Sequence, residues 1–299
     1  MTSTCLTPVM TSTCLTPINR SMARLAKDSV AQDDIKVTIF NPTNITELAD
    51  SDELYNAFES GWPVVISGLT IPGIDYDYYD KLPDWVIKDN KWIAPWYPSD
   101  VRKRDRLRNE RDWSEEQIDE FAQKHRESNT AWNNFFAELM PRYANATGKS
   151  VSHRYNMLVE NNLHFDELDG EHTGQEQQIR VLTNMDKQRC RITAVGPNIE
   201  QLYNTYYDEF KLWELDKEDP HTFITEMRNR CVWNDRNWSH FHHPLHYITC
   251  DPGDIWLLNA QWVSHQIVFG AKLQVFEADI QKEQMLNPEL VMAERIKNL

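Results

Sequence analysis

The sequence predicts a mostly β protein with flanking helices, its strands closing into a sandwich or jelly-roll barrel. Three observations carry that expectation. Between His153 and Phe276 about eight short runs of strand character follow one another, broken by turn residues. Ahead of them, residues 101 to 143 are highly charged, with apolar side chains at helical spacing. The chain has 299 residues and 40% hydrophobic content, enough to bury a substantial core, so one large domain with decorations is expected.

Taken in order, residues 1 to 9 (MTSTCLTPV) recur almost unchanged from Met10 (MTSTCLTPI), a duplication too short to be a structural repeat. Residues 1 to 36 read as a disordered tail. Residues 1 to 27 contain no Asp or Glu and carry Arg20, Arg24 and Lys27. That is transit-peptide-like composition, so a cytoplasmic protein and an organelle-targeted one are both open. From Val37, VTIF reads as a strand, DELYNAFES as a helix with Leu54 and Phe58 on one face, and PVVISGL as a buried strand ending at Gly68.

Ser114 and Gln117 are spaced as a capping box that starts a helix with Ile118 and Phe121 on one side. A second helix is expected around Trp132, Phe135, Phe136 and Leu139, its aromatic stripe read as packing against a sheet. The strand runs are RYNMLVE, LHFDEL, QIRVLTNM, RCRITAVG, HYITC, DIWLLNA, SHQIVF and KLQVFEA. One domain over 37 to 299 follows. It divides into an α/β entry with buttressing helices (37 to 150), a barrel (151 to 278) and a C-terminal stretch (279 to 299), helical from Pro288. An insertion at 198 to 245 is expected over one mouth of the barrel.

A formal net charge of -15 argues against a nucleic-acid or anionic-lipid partner, which normally selects a basic patch. No apolar run approaches the ~20 residues of a membrane helix. Five scattered cysteines without a C-x-x-C pair point to a reducing compartment. The Asn-x-Ser/Thr triplets at Asn44, Asn145 and Asn237 are common by chance. A small-molecule, peptide or protein substrate fits this composition, and the oligomeric state is not legible.

Chemistry concentrates in two places. In His164-Phe165-Asp166 the outer residues point the same way if the segment is extended, so they can share one metal. A histidine from a later strand would complete a two-histidine, one-carboxylate set with open positions for other ligands. The similar His125-Arg126-Glu127 lies in a helical stretch, where positions i and i+2 diverge. Further on, in CDPGDIWLLNAQWVSHQIVFGAKLQVFEA, Pro252-Gly253-Asp254 forms a turn, DIWLL enters a buried strand, and His265 begins the next strand after Trp262.

In this segment the chain resembles the cupin-like Fe(II)- and 2-oxoglutarate-dependent oxygenases, and most of all the JmjC-type hydroxylases, in which a P-G-D turn precedes the distal metal histidine. The spacing here is one residue longer. GWPVVISGL resembles the strand that opens those domains, LHFDEL their metal strand, and DKQRCRITAVGP the strand after it, so the likeness spans roughly residues 37 to 278. The resemblance implies a double-stranded β-helix core, Fe(II) held by His164, Asp166 and His265, and 2-oxoglutarate and O2 as cosubstrates.

The distal carboxylate of 2-oxoglutarate needs a cationic partner, because a buried unpaired carboxylate is costly. JmjC-type enzymes place a lysine on the strand after the metal strand, where this chain has Arg191, with Thr193 on the same face. Many other 2-oxoglutarate oxygenases place an arginine after the distal histidine, where this chain has Lys272, followed on the same face by Gln274. Arg180 is a third candidate. The histidines at 240, 242, 243 and 246 read as a lid near Trp233 and Trp238, with no cysteine pair to make a zinc site.

Three functions follow from this reading. The first is oxidation of an unactivated C-H bond (hydroxylation, desaturation or oxidative cyclisation) in a small, amino-acid-derived natural product, of the kind kainoid synthases carry out. The second is JmjC-type hydroxylation of a protein or peptide. The third is metal binding by a cupin that is not an oxygenase.

Overall fold

Strand pairing sorts the chain into two sheets, most of whose strand residues are buried. The computed structural model describes residues 35–82, 92–95, 101–155, 163–166, 168, 173–231, 245–270 and 272–299. The expected tail up to residue 34, most of the RYNMLVE run, and the lid residues Trp233, Trp238, His240, His242 and His243 lie outside the described residues.

The strands are β1 (Thr38–Phe40), β2 (Val64–Ile66), β3 (Trp92–Pro95), β4 (Thr147–Tyr155), β5 (Glu176–Asn184), β6 (Arg191–Asn198), β7 (His246–Cys250), β8 (Ile255–Leu258), β9 (Val263–Phe269) and β10 (Lys272–Gln281). Among the described residues the larger sheet runs β1-β2-β8-β5-β10-β4-β3 and the smaller β7-β6-β9. An isolated antiparallel bridge between His164 and His265 adds the metal segment to the outer edge of β9. Along the chain β4, β5, β8 and β10 fall in the larger sheet, while the His164 segment, β6, β7 and β9 fall in the smaller. That alternation winds the chain as a double-stranded β-helix. β3 was not foreseen from the sequence.

On β10, Leu273 and Val275 face inward, in one cluster with Val195, Ile248, Trp256, Leu258 and Val263. Phe276, Ala278 and Ile280 face outward, against the helices. The helices there are α1 (Asp52–Glu59), α2 (Tyr76–Asp80), α3 (Val101–Arg111) and α4 (Glu115–Leu139). Ser114 and Gln117 close the capping box of α4, with bonds of 3.2 and 2.9 Å. The two helices expected here are one, since no Gly or Pro between Ala122 and Trp132 interrupts it. Trp132 stacks on Phe276 with ring centroids 5.8 Å apart.

Between β6 and β7 lie α5 (Ile199–Tyr206) and α6 (Pro220–Cys231), and α7 (Met292–Lys297) ends the fold. The sequence suggested an insertion over the barrel mouth. Its described helices pack against the far side of the His164 segment, in a cluster holding Phe165, Leu168, Trp262, Met292 and Ile296, and residues 232 to 244 of the insertion lie outside the described residues. Phe165 points away from its neighbours His164 and Asp166, as alternation in an extended segment requires. The C-terminal stretch is a short 3-10 turn at Pro288–Leu290 and then α7, rather than one helix from Pro288. It is tied down by buried Glu59, which accepts from the N–H groups of Leu286 and Asn287, each at 2.7 Å, and from the Tyr143 hydroxyl. No helix among the described residues is long and apolar enough to cross a membrane.

Candidate metal centre

Backbone register brings the first two ligands together. His164 donates its N–H to the His265 carbonyl at 3.1 Å, and His265 returns the bond at 2.9 Å. Directly opposed residues of an antiparallel pair project to the same face. Their rings accordingly lie 4.6 Å apart, centroid to centroid. Two residues on, Asp166 donates its N–H to the carbonyl of Ala260, in the turn between β8 and β9, at 2.8 Å. Gly196 admits this segment: a Cβ there would lie 2.9 Å from Leu163 and 2.6 Å from the Ser264 hydroxyl.

One ligand atom from each of His164, Asp166 and His265 lies within 4.8 Å of the others, a spacing that lets the three share one metal ion. His164 Nε2 and Asp166 Oδ1 are 3.6 Å apart. His265 Nδ1 is bonded to the Val263 carbonyl at 3.2 Å, which fixes the ring and leaves Nε2 to the site. Burial first, and then the nearby His164, hold the His265 imidazole down at about 3, so it is a neutral donor at physiological pH. The set is two imidazoles and a carboxylate on one face, a donor chemistry that suits Fe(II) with open positions.

Arg180 sits on the inward face of β5, paired in register with Leu258 and Glu277. Its guanidinium contacts Asp166 Oδ2 and lies 3.0 Å from Glu277 Oε1. Both its contacts are local carboxylates, which argues against its being the cosubstrate anchor.

Deeper in the barrel, β6 places Val195, Thr193 and Arg191 on the inward face. Val195 pairs with His265, Thr193 with Ile267 and Ile248, and Arg191 with Cys250. Arg191 is 1% exposed and its guanidinium lies over the Trp256 ring, 5.7 Å from the centroid. Gly270 makes room for it, since a Cβ there would lie 2.7 Å from Arg191 Cγ. On the opposite wall Ser152 of β4 pairs with inward-facing Val275, and its buried hydroxyl has no hydrogen-bond partner among the described residues.

Lys272 and Gln274 do not face the metal trio. They share the outward face of β10 with Phe276. Gln274 accepts from Trp132 Nε1 at 2.9 Å and donates to Ser128 at 3.2 Å, while Lys272 donates to the Asp80 carbonyl. The strand's period of two puts both on the helix side of the larger sheet, so neither can anchor a ligand inside the barrel. His246, grouped with the lid from sequence, stands in the wall: it opens β7, pairs with Val195 of β6 and is buried. Sequence reasoning missed Ser152 and Glu277, because strand alternation alone does not tell which face of an unplaced strand is inside.

No family model matches the chain, and no curated protein matches its sequence. Solved structures do match its fold. The Kdo hydroxylase KdoO, a non-heme Fe(II) alphaketoglutarate dependent dioxygenase, in complex with succinate and Fe(III), superposes with a TM-score of 0.62 at 14% identity, covering 88% of this chain and 94% of that one. The same hydroxylase with alphaketoglutarate and Fe(III) also gives 0.62, at 15% identity over 88% and 95% of the two chains. With cobalt(II) it gives 0.61 at 15% identity, with the same coverage. At such identity the likeness establishes a shared fold.

Proposed function

We propose that this chain is an Fe(II)- and 2-oxoglutarate-dependent dioxygenase that oxidises an unactivated C-H bond of a small molecule, O2 being the other cosubstrate. The observation that carries the reading is the convergence of His164, Asp166 and His265 at one end of the barrel, above a buried cation. The residues present fit both groups. Two histidines and a carboxylate suit Fe(II), and the orphaned Ser152 hydroxyl inside the barrel calls for a polar ligand, since burying it unbonded costs about 1–3 kcal/mol.

In this reading His164, Asp166 and His265 hold the iron, and Arg191 pairs with the far carboxylate of 2-oxoglutarate. Val195, opposite His265, and Arg191 are four residues apart on β6, or about 13 Å of strand. An arginine side chain and a five-carbon diacid together bridge such a gap. Thr193 and Ser152 offer hydroxyls to the same ligand from facing walls. Leu182, Trp256 and Val275 keep water from the space between. When bound, iron and cosubstrate supply the oxidising power; the barrel supplies orientation and dryness.

The solved neighbours are named as hydroxylases, which supports hydroxylation as the outcome. Desaturation or cyclisation of an amino-acid-derived substrate remains within the same chemistry. The test is succinate release from Fe(II), 2-oxoglutarate and O2, screened against small molecules and against peptides. Turnover by the wild type, abolished in His265→Ala, is the expected result. A wild type that forms no more succinate than His265→Ala overturns the proposal.

A further inference from the structure

Asp166 presents two different oxygens to two different neighbours. Oδ1 faces His164 Nε2 at 3.6 Å, while Oδ2 is in contact with the guanidinium of Arg180. Arg180 is itself held from the other side by Glu277, its register partner on β10, at 3.0 Å. The three side chains form a chain of alternating charge from the metal segment across two strands of the opposite sheet. All are partly buried, at 15–22% side-chain exposure.

Elementary electrostatics makes an arginine a poor neighbour for a metal-binding carboxylate. Its charge repels a divalent cation and draws donor strength from the carboxylate. A partly buried ion pair is also weak evidence of stabilisation, because desolvation offsets most of the attraction. What the arrangement does supply is position. Glu277 offsets the charge of Arg180 and holds the guanidinium from the side away from Asp166, so the cation stays in contact with Oδ2.

We infer that Arg180 is a positioning residue, which engages Oδ2 of Asp166 so that the carboxylate ligates metal through Oδ1 alone. The inference rests on the metal site proposed above. Ligation by one oxygen leaves three protein atoms on the metal and three adjacent positions open. A carboxylate freed to bind through both oxygens would occupy one of them. Glu277 acts one step further out, by holding the Arg180 charge beside Asp166.

The test uses the full chain and Co(II) as the probe, without cosubstrate, following affinity by titration and the ligand set by the visible absorption of the ion. Arg180→Met should weaken Co(II) binding by roughly ten- to hundred-fold, the usual effect of losing an outer-shell partner. Its visible spectrum should change as a second carboxylate oxygen takes a position that water holds in the wild type. Arg180→Lys, which retains a cationic N–H donor, should restore most of both. Glu277→Gln should shift both in the same direction by a smaller factor, and it serves as the second variant if Arg180→Met folds poorly.

Wild-type affinity and spectrum in Arg180→Met, or in its place Glu277→Gln, overturn the inference. Tighter binding in Arg180→Met overturns it too, because that is what removal of a repelling charge alone would do. A wild type that takes up no Co(II) overturns the metal site itself, and this inference with it; wild-type uptake with an indifferent Arg180→Met overturns the inference alone.

Discussion

His164 and His265 exchange both backbone hydrogen bonds, so the relative height of these two proposed metal ligands is set by strand register rather than by side-chain rotamers. A slip of one residue would turn His164 out of the barrel and Phe165 in. Gly196 guards this register, as the Leu163 and Ser264 side chains leave no space for a Cβ. Gly196→Ala should therefore cost about 1–3 kcal/mol in urea unfolding, typical of overpacking, and should weaken metal uptake. A variant with unchanged stability and unchanged Co(II) affinity would show that the segment does not depend on this packing.

Replacing the ligands themselves should separate metal binding from folding. His265→Ala removes a buried ring, so some loss of stability is expected beside the loss of metal. His164→Ala and Asp166→Ala act at partly exposed positions and should abolish Co(II) or Fe(II) uptake while leaving the circular dichroism spectrum intact. Tight metal binding by any of the three would remove that residue from the site.

The proposed cosubstrate anchor is Arg191, on the side of the barrel that Lys272 does not face. Arg191 lies inside the barrel over Trp256, while Lys272 donates to Asp80 on the helix side. Arg191→Met should raise the Michaelis constant for 2-oxoglutarate at least tenfold, since stranding a buried charge usually costs about 2–5 kcal/mol and tenfold is only about 1.4 kcal/mol. Lys272→Met should leave that constant unchanged and act on stability alone. The reverse pattern would overturn the assignment.

Much of the fold was legible because the strands alternate and their turns are marked. The capping box at Ser114 and Gln117, the buried run at Val64, and the extended His164-Phe165-Asp166 could each be read locally. The side of β10 could not be read this way. Lys272, Gln274 and Phe276 alternate with Leu273, Val275 and Glu277, and both sets contain apolar and polar members. Both faces of that strand are buried, so the pattern that usually betrays the inside is absent. Arg180 illustrates the same limit: its distance from Asp166 depends on how the two sheets are stacked, which no local spacing encodes.

His246 gives the barrel a pH dependence of its own. Burial holds its imidazole below the ordinary range of 6.5, so the folded protein takes up its proton at lower pH than the unfolded chain does. The unfolded state therefore binds more protons once pH falls below about 6.5, and stability falls with it; above that pH the contribution is complete. A single proton limits the slope to about 1.4 kcal/mol per pH unit. Urea unfolding between pH 7.5 and 5 should show a shallower acid loss in His246→Gln than in the wild type. Parallel curves would mean that another group sets the acid limb.

Arg295, on the C-terminal helix, fastens together three parts of the chain that are far apart in sequence. Its guanidinium donates to the carbonyls of Leu290 at 2.6 Å, Ser60 at 3.0 Å and Glu59, and lies over the Trp262 ring at 4.8 Å. Burial lowers its pKa to about 10, so it is still charged at neutral pH. Trp262 belongs to the turn whose Ala260 carbonyl receives the Asp166 N–H, so this clamp supports the metal segment from behind. Arg295→Met keeps the stem but strands three carbonyls and removes the cation from the indole face, which should cost about 2–4 kcal/mol in urea unfolding. Lys297→Met on the same helix removes only a pair with the exposed Glu218 and should leave the midpoint where it is. Metal affinity should fall in the first variant and not in the second. Equal midpoints for the two would show that the C-terminal helix is fastened by its apolar face, Met292 and Ile296, and that Arg295 adds nothing to it.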